Sequence, residues 1–118
     1  MGAGRRYFHG SLCGLLPLNI RQVYEESLLL GKIGQAYGMN IVWINVEWGK
    51  AVSPDAVKKI LDEDKDIRGV LVQACETSTT AAHPIEAISR LTRDRENTLL
   101  IVDGITGVGV FPLPMDDW

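Results

Sequence analysis

The chain has 118 residues, the length of one domain and not of two. Twelve Lys+Arg against fifteen Asp+Glu give a net charge of -3, and 46% of the residues are apolar. That is a globular composition, and its acidic balance argues against a nucleic-acid binder and against a polybasic membrane-surface patch.

Residues 1 to about 20 carry Gly2, Gly4, Gly10, Gly14 and Pro17, a density of breakers that predicts irregular chain. Arg5 and Arg6 precede a mildly apolar stretch, but glycine and proline interrupt it and no small-residue cleavage site follows, so a secretory signal is not expected. No apolar run approaches the roughly 18–20 residues that cross a bilayer. Cys13 and Cys75 match no metal or redox spacing, and a reduced chain in the cytoplasm is the expectation.

From Asn19 to Tyr37 the apolar spacing of Ile20, Val23, Leu28, Leu30, Ile33 and Tyr37 predicts a helix, with Gly31 and Gly34 as weak points and Gly38 as its stop. Asn40 to Glu47 (NIVWINVE) is β-branched and aromatic without a breaker, which predicts a strand. Ser53-Pro54-Asp55 then reads as a capped helix start, with an Ala56, Ile60, Leu61 stripe running to about Glu63. Arg68 to Ala74 predicts a short strand. Pro84 opens a further helix, with Ile85, Ile88 and Leu91 inward and Arg90, Arg93, Asp94 and Arg95 outward. Thr98 to Val102 (TLLIV) reads as a strand covered on both faces. Pro112 and Pro114 exclude a helix in the tail.

The resulting order is strand, helix, strand, helix, strand. It predicts an α/β fold, a parallel sheet with flanking helices. Ligands of such sheets collect at the carboxyl ends of the strands. There the sequence places Glu76-Thr77-Ser78-Thr79-Thr80 after one strand and Asp103 after another.

Several chemistries compete for these residues. Asp103 reads as a loop-capping aspartate, as a metal-bound carboxylate, or as the partner of a protonated cofactor nitrogen. A nucleotide-hydrolase Mg²⁺ site would need a GxxxxGK[ST] loop, and none is present. Gly104, Gly107 and Gly109 mimic a phosphate loop, but Phe111-Pro112-Leu113-Pro114 cannot supply the helix it needs, so a tight chain reversal is the expectation. Thr77 to Thr80 serve either a solvated capping loop or a ligand oxygen. Glu76 is a catalytic carboxylate or an ion-pair partner. His9 and His83 lack zinc spacing, so no metal site is expected. Trp43, Trp48 and Trp118 read as packing residues, and Asp62-Glu63-Asp64 as a solvated helix end.

GKIGQAYG at 31–38, VEWGKAVSPDAV at 46–57, LVQACETSTTAAHPIEAI at 71–88 and LLIVDGITGVGVFPLPMDDW at 99–118 together resemble the class V aminotransferases. The nearest branch is the alanine–glyoxylate and serine–pyruvate type, of fold type I among the pyridoxal-phosphate enzymes. The resemblance covers roughly Gly31 to Trp118, about three quarters of the chain, and makes 31–118 part of a cofactor-binding large domain. Residues 1–30 form a non-matching N-terminal segment. The resemblance implies amino-group transfer between a small amino acid and a 2-oxo acid, by a homodimer that uses pyridoxal 5'-phosphate. It implies that Asp103 pairs with the pyridine nitrogen, that Thr77 hydrogen-bonds the phenolic oxygen, and that Ile105 packs on one ring face.

Departures from the family pattern are Ala74 and Cys75 before the glutamate, Thr80 where glycine is usual, and Gly104 after the aspartate. In the family the lysine that forms the Schiff base follows the PLPMD segment, and none of Lys32, Lys50, Lys58, Lys59 or Lys65 matches it. The glycine-rich phosphate cradle is likewise unmatched. The chain is therefore expected to be a piece of the large domain, with no catalytic lysine of its own and no transamination alone. The competing expectation is a non-catalytic α/β binding or interaction module. A phosphoreceiver-like module would need an acidic cluster after an early strand and a lysine after the last, and neither is present.

Overall fold

The computed structural model describes residues 15–17 and 25–118, with side chains from residue 31 onward. The elements are β1 (Leu15–Pro17), α1 (Glu25–Ala36), α2 (Pro54–Glu63), β2 (Gly69–Gln73), α3 (Ile85–Arg93) and β3 (Leu99–Asp103). The sheet runs β1-β2-β3, with both pairs parallel. The α/β class with a parallel sheet and flanking helices is therefore what the chain forms.

Central strand β2 is short and apolar because both its faces are covered: Val70 and Val72 are buried, as are Gly69 and Gln73 at its ends. Helix α2 starts where Ser53 Oγ accepts the Asp55 N–H at 3.2 Å and Pro54 pre-sets the first turn. Val57 and Leu61, four residues apart, bury on one face of it. In α3 the buried positions are Ile85, Ile88, Ser89 and Thr92, a helical stripe facing the core. The two polar members of that stripe bond within their own helix, Ser89 to the Glu86 carbonyl and Thr92 to the Ser89 carbonyl. Val57, Leu61, Val70, Val72 and Ile88 join Ile44, Val52, Ile67, Ala74 and Ile85 in one core. Each Val, Leu and Ile side chain among them contributes about 1.5–3 kcal/mol by leaving water.

Several sequence expectations change. Asn40–Glu47 forms no strand, apart from a single-residue bridge at Ile41. Its apolar side chains serve packing instead: Ile44 is in the core, Val42 and Val46 pack against it, and Trp43 lies against Gly31. The place beside β2 is taken by Leu15–Pro17, in the stretch expected to be irregular. β-branched content reports a half-buried surface, and pairing is decided elsewhere in the chain. The helix expected over 19–37 is seen as Glu25–Ala36; residues 18–24 lie outside the described residues, as do Cys13, His9 and the glycines before residue 15. Its stop at Gly38 holds, with φ 78.

β3 is not covered on both faces. Leu99 is 51% exposed and the rest of the strand is half-buried, because β3 is the edge strand among the described elements. Arg95 is not turned outward. It is half-buried, and its guanidinium reaches the Leu61 carbonyl at 2.7 Å, the Asp62 carboxylate at 2.7 Å and the Leu91 carbonyl at 3.1 Å. Asp62 is thus a solvent-exposed hub with Lys58, Lys65 and Arg95 around it, and these cations hold its carboxyl down at about 2, the Lys58 hydrogen bond contributing most. The stripe on α2 is Val57 and Leu61, with Ala56 and Ile60 half-buried beside it. After β3 the chain reverses through consecutive turns, Gly107 and Val108 donating to the Gly104 carbonyl and Val110 and Phe111 to that of Gly107.

Candidate active site

Parallel pairing in register brings the carboxyl ends of β2 and β3 to one level, with Gln73 opposite Asp103. One more backbone bond continues the ladder, from Ala74 N–H to the Asp103 carbonyl at 2.8 Å. Beyond it the two segments part. Residues 75–83 fold back on themselves around an antiparallel Cys75–Ala82 bridge, flanked by Glu76 N–H to Ala81 O and His83 N–H to Ala74 O, both 2.9 Å. Residues 104–111 enter the turns described above.

Thr77, Asp103 and Ile105 therefore all stand on the carboxyl rim of the sheet. Thr77 is exposed, and its hydroxyl has no hydrogen bond among the described residues. Asp103 is half-buried; one carboxylate oxygen accepts the Ile105 N–H at 3.2 Å and the other has no hydrogen-bond partner among the described residues. Ile105 is 80% exposed, its side chain projecting from the rim. Thr77, in the hairpin after β2, thus offers a hydroxyl, and Asp103, at the end of β3, a carboxylate oxygen, donor and acceptor chemistry compatible with a pyridine ring that bears a phenolic oxygen.

Glu76 is not exposed and has no ion pair among the described residues. It is 1% exposed, and Oε1 accepts both the Ser78 N–H at 3.2 Å and the Ser78 hydroxyl at 2.9 Å. Its Oε2 is buried without a partner among the described residues. Across the hairpin, buried His83 accepts the Val52 N–H on Nδ1 at 3.1 Å, which ties the segment before α2 to the rim. Desolvation pushes the His83 pKa down. Both are braces of the loop. Thr106, which sequence reasoning did not single out, donates its hydroxyl to the Cys75 carbonyl at 2.7 Å. Nothing local in a glycine-flanked Ile-Thr marks that bond, since its partner lies 31 residues away.

The ion pairs of α2 lie at the other end of the sheet. Lys58, Lys59 and Lys65 pair with Asp62 and Glu63 on the end of α2 that feeds into β2, at the amino edge of the sheet. A groove of about 330 Å³ lies along β3 and α3, lined by Leu99, Leu100, Val102, Gly104, Leu113 and Trp118 among others; it reaches Gly104 beside the rim but takes in none of Thr77, Asp103 or Ile105. Among the described residues no three His, Cys, Asp or Glu gather as metal ligands, and no helix is long and apolar enough to cross a membrane.

No family model matches the chain. Individual relatives do. A protein of Methanocaldococcus jannaschii described as an uncharacterized aminotransferase is 42% identical over 77 residues, 65% of this chain and 20% of its own length. The alanine–glyoxylate aminotransferase of Nostoc superposes with a TM-score of 0.79 at 27% identity, over 92% of this chain and 28% of that one. Several of this chain's relatives and structural neighbours are class V aminotransferases. A further relative, from Anabaena cylindrica, carries the name soluble hydrogenase 42 kDa subunit and is 36% identical over 87 residues, 72% of this chain and 23% of its own length. The chain spans about a quarter of the length of the relatives it matches, and its fold is that of part of an aminotransferase large domain.

Proposed function

We propose that this chain provides the ring-binding rim of a pyridoxal 5'-phosphate-dependent aminotransferase, which moves an amino group between a small amino acid and a 2-oxo acid. The observation that carries the reading is the pair Thr77, in the hairpin that follows β2, and Asp103, at the end of neighbouring β3, with a hydroxyl and a carboxylate oxygen left unspent among the described residues. The Asp103 carboxylate holds a proton on the ring nitrogen, the Thr77 hydroxyl meets the phenolic oxygen, and Ile105 covers a ring face. With its nitrogen protonated, the bound ring supplies an electron sink for negative charge at the substrate carbon.

Lys58, Lys59 and Lys65 pair with carboxylates on α2, and Lys32 and Lys50 are exposed. None of these lysines matches the position of the family's Schiff-base lysine, so the chain alone is expected to lack a covalent anchor for the cofactor and not to turn over amino acids. Titration with pyridoxal 5'-phosphate, read by absorbance, tests the reading. Saturable binding weakened at least tenfold in Asp103→Asn supports it, since a charge-assisted bond contributes about 1.5–3 kcal/mol. Equal affinity of the two proteins counts against it.

A further inference from the structure

Beyond the backbone ladder, one side-chain hydrogen bond among the described residues joins the two sides of the rim. We propose that Thr106 is a positioning residue: its hydroxyl, bonded to the Cys75 carbonyl, sets where the Thr77 hydroxyl stands relative to the Asp103 carboxylate. The inference rests on the cofactor reading above.

Strand pairing ends with Ala74 N–H on the Asp103 carbonyl. Cys75 then faces Ala82 in the bridge, but the two flanking bonds belong to Glu76 and His83. That is the non-hydrogen-bonded kind of antiparallel pair, in which the middle residue turns its own N–H and C=O away from its partner. The Cys75 carbonyl is thus left for an acceptor role outside the hairpin, and the Thr106 hydroxyl fills it at 2.7 Å. Among the described residues this is the one side-chain hydrogen bond joining segment 75–83 to segment 104–111.

Both sides of that bond lead by short closed arcs to the proposed ring contacts. On the β2 side, Glu76 clamps the N–H and hydroxyl of Ser78, and Thr77 is the residue enclosed by the clamp. On the β3 side, Ile105 precedes Thr106 and donates its N–H to Asp103. The path from hydroxyl to carboxylate therefore runs Thr77, the Glu76–Ser78 clamp, Cys75, Thr106, Ile105, Asp103, with a hydrogen bond wherever the chain itself does not connect. Removal of the Thr106 hydroxyl opens the path at its middle and leaves both contact residues in place.

Two probes read the effect: pyridoxal 5'-phosphate and its analogue lacking the phenolic oxygen, titrated into the whole chain. Thr106→Val weakens binding of the first about three- to tenfold, the equivalent of one neutral hydrogen bond, and leaves the second nearly unchanged. Thr106→Ser restores the affinity, and in a Thr77→Val background Thr106→Val adds no further loss. Should Thr106→Val fail to fold, Thr106→Ala compared with Thr106→Ser carries the same contrast. Wild-type affinity in Thr106→Val, while Asp103→Asn still loses binding, overturns this inference and leaves the cofactor reading standing. An equal loss for both probes, additive with Thr77→Val, also overturns it, since a general loosening would do that. Absence of binding by the wild type overturns both.

Discussion

Thr80 sits with φ 57, in the left-handed region, and is the one described non-glycine residue to do so. Its N–H closes the turn on the Glu76 carbonyl at 2.8 Å, so the hairpin enforces that backbone. A β-branched side chain is strained there by about 1–3 kcal/mol. Thr80→Gly is expected to stabilise the chain by about 1 kcal/mol, the relief of strain less the added freedom of the unfolded glycine. Denaturant midpoints check it, and a lower midpoint in Thr80→Gly would show that the hydroxyl contributes more than the strain costs. His83 gives a pH dependence. Burial lowers its folded pKa below the ordinary 6.5, so the unfolded chain takes up the proton first as pH falls. Its contribution to stability is full above pH 6.5 and declines below it, toward the folded pKa. Moreover, a proton on Nδ1 would displace the Val52 N–H. Unfolding midpoints between pH 7.5 and 5.5 (a range of about 1 unit on either side of 6.5) should fall with pH more steeply in wild type than in His83→Gln. Parallel slopes would contradict the assignment. That Asp103 closes an apolar strand, and that Thr77 lies in the polar segment after another, was legible in the sequence; their ring contacts were implied only by the family resemblance and stand as the proposal above. Glu76 and Thr106 were not legible, because their roles arise only when the hairpin returns and a carbonyl 31 residues away comes within reach.

At the scale of elements, β2, α2 and α3 follow directly from capping and periodicity, while Asn40–Glu47 does not. The same β-branched alternation that suits a strand also suits a segment lying over helices, and local pattern cannot tell the two apart. The glycines of α1 carry the missing information. A Cβ added at Gly31 would stand 2.0 Å from the Trp43 ring, and one at Gly34 would meet Met39 and Ile41 at 3.2 Å. They are apparent weak points of the helix that in fact admit the 39–43 segment. Gly31→Ala gains about 1 kcal/mol of helix propensity, but the displaced indole costs more, and a net loss of about 1–2 kcal/mol is expected. Urea unfolding of the variant measures it; a stabilised Gly31→Ala would mean that Trp43 does not pack on α1. Arg95 shows the complementary case. Its guanidinium caps carbonyls of two different helices, α2 at Leu61 and α3 at Leu91, and so fixes one against the other at the amino edge of the sheet.

For the molecule as a whole, the parallel sheet places its structural charges and its unspent polar groups at opposite edges. Asp62 with its cations secures the amino edge, while Thr77, Asp103 and Ile105 rise from the carboxyl edge. The apolar groove and the half-exposed β3 lie beside that rim, in a chain spanning about a quarter of its relatives. The account depends on Asp103 acting as the anion next to a ring nitrogen. Nitrogen-15 NMR of ring-labelled pyridoxal 5'-phosphate, titrated with pH in the presence of the chain, reads that proton directly. The account predicts that wild-type chain holds the ring nitrogen protonated to a higher pH than in free cofactor and that Asp103→Asn does not. A bound ring nitrogen titrating as in free solution would contradict it.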